Sequence, residues 1–189
     1  MSLAPDRRWQ RFTDTDYRCP CCGKAVQGVL DVGYDHPDAW PHASYRRTGG
    51  TVTVGQDRLT QDLCSMGDRL YLRGLLTLPI QNTDVSFAFG PWAEVPAETF
   101  QAYRAAFGTD AEAALGARQA RLANALPGFP GSVGLALTIR FSGGSDRPQF
   151  AVQPPADLSA AQRDRISFDQ LLDIYATFGQ DLRPHLGEP

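Results

Sequence analysis

Two stretches in which apolar residues alternate with other residue types predict two antiparallel hairpins. From Leu70 to Ile80 the alternation has a period of two, which is typical of a half-buried strand. A turn at residues 82–84 and a second alternating run over 85–89 complete the first hairpin. Gly90–Pro91 then interrupts the second strand, and this pair predicts a bulge that moves Trp92 onto the buried face.

The second hairpin is predicted from Val133 onward. Apolar residues occupy every other position up to Phe141, and Phe150 and Val152 repeat the pattern further along the chain. The segment 143–146 between these runs reads Gly-Gly-Ser-Asp, a composition typical of a turn.

Two helices are predicted between the hairpins. The first begins at Pro96, ends before Gly108, and has an apolar face formed by Phe100, Tyr103 and Phe107. Thr109 and Glu112 resemble a capping box for the second helix. Its apolar face contains Leu115, Leu122 and Leu126, and the Pro- and Gly-rich segment 127–131 ends it.

A third helix follows the second hairpin and completes the predicted fold. It begins at Ser167, where Gln170 completes a capping box, and ends at Gly179. Its buried face contains Phe168, Leu171, Leu172, Tyr175 and Phe178. Two hairpins separated by helices predict an α+β fold, in which helices pack on an antiparallel sheet.

The apolar faces of the predicted strands and helices must be buried against one another in one shared core, so we predict a single domain over residues 1–189. Within it, residues 13–64 form a cysteine-knuckle subdomain at the edge of the sheet, because this region holds all four cysteines and few apolar runs. Residues 65–180 form the α+β core, and residues 181–189 form a tail. His185 lies in that tail beside Pro184, and we expect its side chain to be solvated.

Charge and composition narrow the classes of function. A net charge of −3 argues against a nucleic-acid binder, which normally presents a basic face. Segment 1–15 is polar with no apolar run behind it, and no stretch approaches the ~20 apolar residues that span a bilayer. We therefore expect a cytoplasmic protein that does not bind membranes, whose cysteines are reduced, metal-bound or reactive.

The cysteines near the start of the chain form the main candidate site. Cys19 and Cys22 have C-x-x-C spacing, and Gly23 allows the tight turn in which backbone amides point at the sulfurs of a zinc knuckle. Cys64 is the best third ligand of a structural zinc site. The fourth ligand stays open among Cys21, His36 and His42, with Cys21 as the default choice.

Two alternatives to zinc stay open at this stage. Cys19 could form a redox-active dithiol with Cys22 or Cys21, but thioredoxin-like motifs need a helix directly after the first cysteine. Here the segment 23–29 has the pattern of a turn that leads into a strand. The other alternative is that the cysteines are simply buried as small apolar residues.

No other segment assembles a recognisable catalytic set. The chain contains no G-x-S-x-G motif, no phosphate-binding loop and no G-x-G-x-x-G motif, so we predict no catalytic and no cofactor-binding residues. The segment from His36 to His42 is expected to be a surface loop anchored by Trp40, with a binding-site lining as the alternative. The question of enzymatic activity stays open, and a non-enzymatic role is favoured.

Four short stretches, in this order and spacing, resemble the bacterial family called domain of unknown function 2199. They are Cys19–Gly23 with Gly28; Asp62–Cys64 leading into Leu72–Gly74 and Leu78–Ile80; Phe87–Trp92; and Leu126–Pro130 with Arg147–Pro148, Gln162–Arg163 and Ile166–Ser167. The resemblance implies a compact bacterial protein with a cysteine knuckle. It also exposes two departures, because the family often has histidines where this chain has Val26 and Ala156.

The sequence thus favours a non-enzymatic binding module with a structural zinc knuckle, held by Cys19, Cys22, Cys64 and Cys21. Its partner would be another protein. The alternative is a thiol-dependent enzyme or redox protein that uses the Cys19–Cys22 segment.

Overall fold

The computed structural model describes residues 6–26, 28–44, 50–144 and 146–187. Their strands are β1 Val32–Gly33, β2 Val52–Val54, β3 Asp57–Leu59, β4 Leu63–Met66, β5 Arg69–Arg73, β6 Leu76–Pro79, β7 Ser86–Gly90, β8 Trp92–Val95, β9 Arg118–Leu122, β10 Ala136–Arg140 and β11 Gln149–Val152. Their helices are α1 Arg7–Thr13, α2 Ala97–Ala106, a 3₁₀ helix Asp110–Leu115, α3 Asp157–Asp164, α4 Phe168–Thr177 and α5 Arg183–Leu186.

The strands form two sheets. An eight-stranded antiparallel sheet has the order β11-β10-β9-β8-β5-β4-β3-β2, and a three-stranded sheet has the order β1-β7-β6. Both predicted hairpins are present, as β6–β7 with Leu78 opposite Phe87 and as β10–β11 with Ile139 opposite Phe150. Ser145 of the predicted turn lies outside the described residues. Helices together with largely antiparallel sheets confirm the α+β class.

The run from Leu70 to Ile80 is two strands in different sheets, so the prediction of one continuous strand is wrong. β5 belongs to the large sheet and β6 to the small one, and the chain changes sheets at Gly74–Leu75. A Cβ atom on Gly74 would lie 2.6 Å from the carbonyl oxygen of Pro148 and closer still to the Phe150 ring. The change of sheet therefore requires a glycine at this position.

A second change of sheet occurs at Gly90–Pro91, where we predicted a bulge. β7 ends at Gly90 in the small sheet, and β8 begins at Trp92 in the large one. The side chain of Trp92 is fully buried, as expected. Its burial accompanies the change of sheet rather than a bulge within one strand. Period two continues from Leu70 to Ile80 across the first break, which is why the hydrophobic pattern alone did not reveal that change of sheet.

The helix predicted from Thr109 is also wrong. Only a 3₁₀ helix forms over Asp110–Leu115, and Gly116 with φ of 67° turns the chain into strand β9. The carboxylate of Glu112 accepts a hydrogen bond from the backbone N–H of Gly108 rather than capping at Thr109. Leu122, which is predicted on the apolar face of that helix, is instead buried along β9 together with Ala120, two residues earlier.

The other two predicted helices are present with small differences. α2 buries Phe100 and Tyr103, whereas Phe107 lies at its C-cap with 45% of its surface exposed. α4 has the Ser167–Gln170 capping box, and Gly179 follows it with φ of 76°. Phe178, which we placed on the buried face, is 43% exposed.

Buried apolar side chains form two clusters. The larger one, which we call the main core, draws on both sheets and on helices α1 to α5. The smaller one, which we call the second core, contains Trp40, Val52, Leu59, Cys64, Tyr71, Trp92 and Ala123. Within the described residues, no helix combines the length and apolarity needed to cross a bilayer.

Candidate metal centre

The knuckle, residues 18–25, is a tight loop closed by backbone hydrogen bonds. Arg18 and Ala25 form an isolated antiparallel bridge, and the N–H of Cys19 donates to the carbonyl of Lys24 at 2.9 Å. The N–H of Gly23 donates back to the carbonyl of Cys19 at 2.8 Å, with Gly23 at φ of 71°. This left-handed conformation favours glycine. The turn closes the segment in which three cysteines occur within four residues.

The short helix α5 brings His185 to the knuckle. Leu182 and Leu186 flank it and are both buried, which docks the helix against the main core. The hydroxyl of Tyr17 donates to the carbonyl of His185 at 2.8 Å, and the guanidinium of Arg11 donates to the carbonyl of Leu186 at 2.8 Å. The expectation that His185 is solvated is therefore wrong, because its side chain is half-buried beside the cysteines.

Four donor atoms meet at this point: one each from Cys19, Cys21, Cys22 and His185, all within 4.8 Å of one another. The sulfurs of Cys19 and Cys21 are 2.9 Å apart, and the Cys22 sulfur lies 3.5 Å from Nδ1 of His185. A tetrahedral zinc ion with Zn–S of about 2.3 Å and Zn–N of about 2.0–2.1 Å separates its donors by about 3.5–3.8 Å. The Cys22–His185 pair therefore already has the required spacing, whereas the sulfurs of Cys19 and Cys21 would have to separate by about 0.9 Å to hold a zinc ion.

The hydrogen bonds within the cluster favour thiolate at Cys19. The neighbouring Cys21 thiol contributes most, followed by His185, and together they lower the pKa of Cys19 below its ordinary value. The same contact with Cys19 raises the pKa of Cys21. Because metal ligation requires thiolates, these contacts favour Cys19 over Cys21 as the first of the two to ligate a metal cation.

Cys64 lies elsewhere, in the second core. It sits on β4 opposite Tyr71, and its side chain is 1% exposed. Burial, reinforced by the charge of Asp57, raises the pKa of its thiol to about 12. The structure does not bring Cys64 to the other three cysteines. A protonated thiol in apolar surroundings is typical of a cysteine that packs as a small apolar residue.

The two histidines considered as fourth ligands make other contacts. Nδ1 of His36 lies 2.8 Å from the carbonyl oxygen of Pro37, and Nε2 of His42 lies 3.0 Å from a carboxylate oxygen of Asp57. Among the candidates for the fourth place, Cys21 alone joins the cluster. The sequence carried one signal for His185: Leu182 and Leu186 have the four-residue spacing of a short docked helix.

A bacterial protein family matches most of the chain. The sequence model of a bacterial family, described as an uncharacterized protein conserved in bacteria (DUF2199), matches residues 18–166. The matched segment contains Cys19, Cys21 and Cys22 but ends before His185. No curated protein and no solved structure matches the chain.

Proposed function

The chain belongs to this bacterial DUF2199 family, and we propose that it is a non-enzymatic binding protein whose knuckle closes around a structural zinc ion. The observation that carries the proposal is the convergence of Cys19, Cys21, Cys22 and His185, which come from opposite ends of the chain. Three thiolates and one imidazole are a common donor set of structural zinc sites.

The number of donors supports a structural rather than a catalytic ion. A tetrahedral zinc ion bound by four protein donors has no open position for water or substrate. Closing the site would also join α5 to the knuckle, across 163 residues between Cys22 and His185. Structural zinc binding is worth on the order of 10 kcal/mol in small zinc domains, far more than a few surface hydrogen bonds.

A closed knuckle leaves recognition to the rest of the surface. We propose another protein as the partner, and the net charge of −3 favours a basic surface on that partner. Reduced cysteines that hold a metal fit the cytoplasm, which is the compartment we propose.

A reactive thiol is the second candidate. Cys21 and Cys22 are exposed, and the short distance between the sulfurs of Cys19 and Cys21 favours a dithiol that reacts with an external electrophile. In this alternative the cysteines need no metal and stay accessible.

Zinc content separates the two candidates. We would measure zinc by mass spectrometry in protein purified without added metal, for the wild type, His185→Ala and Cys64→Ala. The proposal predicts about one zinc per chain in the wild type and in Cys64→Ala, and a large loss in His185→Ala. Cys64→Ala is the matched control because it removes a thiol outside the cluster.

Alkylation with iodoacetamide provides the second readout on the same samples. Bound metal should protect Cys21 and Cys22 until a chelator is added. A zinc-free wild type whose exposed cysteines react at once would contradict the structural site and support the reactive thiol.

A further inference from the structure

A cavity of about 470 Å³ is lined by residues outside the candidate metal centre. Its walls come from the end of α2, the 3₁₀ helix and the segments that precede β4, β6 and β11. This volume is in the range of pockets that bind small molecules. None of the residues that line it belongs to the cysteine cluster.

Glu112 is the unusual group in this cavity. Its side chain is 1% exposed, and Oε1 accepts a hydrogen bond from the N–H of Gly108 at 2.6 Å. Oε2 is also buried, and within the described residues it has no hydrogen-bond partner. A buried carboxylate oxygen without a donor is destabilising, so its retention points to a donor from beyond the described residues, such as a bound ligand or a water molecule.

The other polar groups of the cavity leave it with an excess of negative charge. Asp62 forms an ion pair with Arg147 at 2.7 Å, so the guanidinium balances that carboxylate. Glu112 and Asp146 also line the cavity, and no further basic side chain of the described residues lines it. Tyr103 adds a hydroxyl, which burial and the charges of Glu112 and Asp62 keep protonated by raising its pKa.

Apolar surface completes the site. Leu75 and Phe107 line the cavity together with the ring of Tyr103. Phe107 is 45% exposed, so its ring is available to a ligand at the mouth of the cavity. Aromatic rings attract organic cations through their faces, and an aliphatic chain packs well against leucine.

We infer that this cavity binds a small organic cation, an amine or guanidinium on a short aliphatic chain, whose N–H groups donate to Oε2 of Glu112 once a small shift of the side chain brings this buried oxygen to the cavity surface. The ion pair between Asp62 and Arg147 forms the polar wall, and Phe107 covers the aliphatic part of the ligand. The inference does not depend on the zinc site, because no residue is shared between the two.

Titration calorimetry with agmatine tests the inference on the full-length protein. The wild type should bind agmatine saturably, and Glu112→Gln should bind it at least about tenfold more weakly, because a charged hydrogen bond is lost. Glu98→Gln is the matched control: it removes an exposed carboxylate from the first turn of α2 and should bind agmatine like the wild type.

Two further measurements keep the test decisive. Amide NMR shifts of Gly108 and Arg147 in the wild type should move with agmatine, whether or not Glu112→Gln folds. No saturable binding and no shift up to about 10 mM agmatine would overturn the inference, as would equal affinity in Glu112→Gln. If a blocked Arg tripeptide binds but agmatine does not, the site recognises a peptide side chain, and the small-molecule assignment is wrong.

Discussion

The main core and the knuckle are stabilised in opposite ways. Phe87, Phe89 and Leu72 are fully buried in the main core, where removal of apolar surface from water supplies the stability. In the knuckle, residues 20–25 are all exposed, and only Cys19 is buried. A loop with so little apolar interior relies on backbone hydrogen bonds and on its donor cluster, so the two regions should respond to different perturbations.

Removal of metal should produce the largest contrast between the regions. We expect a chelator to accelerate amide hydrogen exchange of Cys19 and Gly23 by at least about a hundredfold, because these amides close the knuckle. Amides of strand β5 should keep their protection, since its partners β4 and β8 do not involve the metal. Equal acceleration in both regions would show that the metal supports the whole fold.

Truncation in the main core should have the reverse effect. Phe89 is fully buried and packs edge-on against Phe87 at 4.8 Å between ring centroids. Phe89→Ala should lower the free energy of unfolding by about 3–5 kcal/mol, as measured by denaturant titration, because it removes apolar contact and leaves a cavity. Zinc content should stay at the wild-type value; a parallel loss of zinc would show that the regions are coupled.

The change of sheet at Gly74 offers a smaller test within the core. Gly74→Ala should destabilise the protein by about 1–3 kcal/mol, because the new Cβ meets the Pro148 carbonyl and the Phe150 ring. Gly187→Ala is the control, since its Cβ would lie 3.8 Å from the nearest atom, the carbonyl oxygen of Arg183. Similar thermal unfolding of both variants would contradict the close approach at Gly74.

The contact between Asp57 and His42 should give the smallest effect, and it depends on pH. The hydrogen bond from His42, followed by the N–H of Gly67, lowers the pKa of Asp57 below 3.8. The stabilisation is therefore present above pH 3.8 and is lost as the pH falls through the lower folded-state pKa. The stability difference between the wild type and Asp57→Asn should be present at pH 5 and should shrink as the pH falls through the folded-state pKa of Asp57; a constant difference in acid unfolding would contradict this account.

Local patterns predicted the elements that depend on neighbouring residues. The β6–β7 hairpin and the Ser167 capping box follow from alternation and from a four-residue motif, and both are present. The prediction of a helix from Thr109 was wrong because the spacing of Leu115 and Leu122 is compatible with one helix and also with a turn followed by a strand. Pairing of this segment with β8 and β10, which local sequence patterns do not reveal, decides between these possibilities.

In the candidate site, too, contacts between sequence neighbours were predictable and contacts that depend on tertiary packing were not. Cys19, Cys21 and Cys22 are adjacent in sequence, so their spacing was enough to place them together. Cys64 is the remaining cysteine and was therefore expected as a ligand. Its position in the chain does not reveal that its thiol is buried in the second core. His185 was missed because tertiary docking of α5, through Tyr17 and Arg11, brings it to the knuckle.

X-ray absorption at the zinc edge tests the central claim most directly, because it counts the sulfur and nitrogen ligands of the bound ion. Our account predicts three sulfurs at about 2.3 Å and one nitrogen at about 2.0–2.1 Å in the wild type. His185→Ala should lose the nitrogen or the ion. Four sulfurs, which would require Cys64 to join the cluster, or fewer than three would contradict the site formed by Cys19, Cys21, Cys22 and His185.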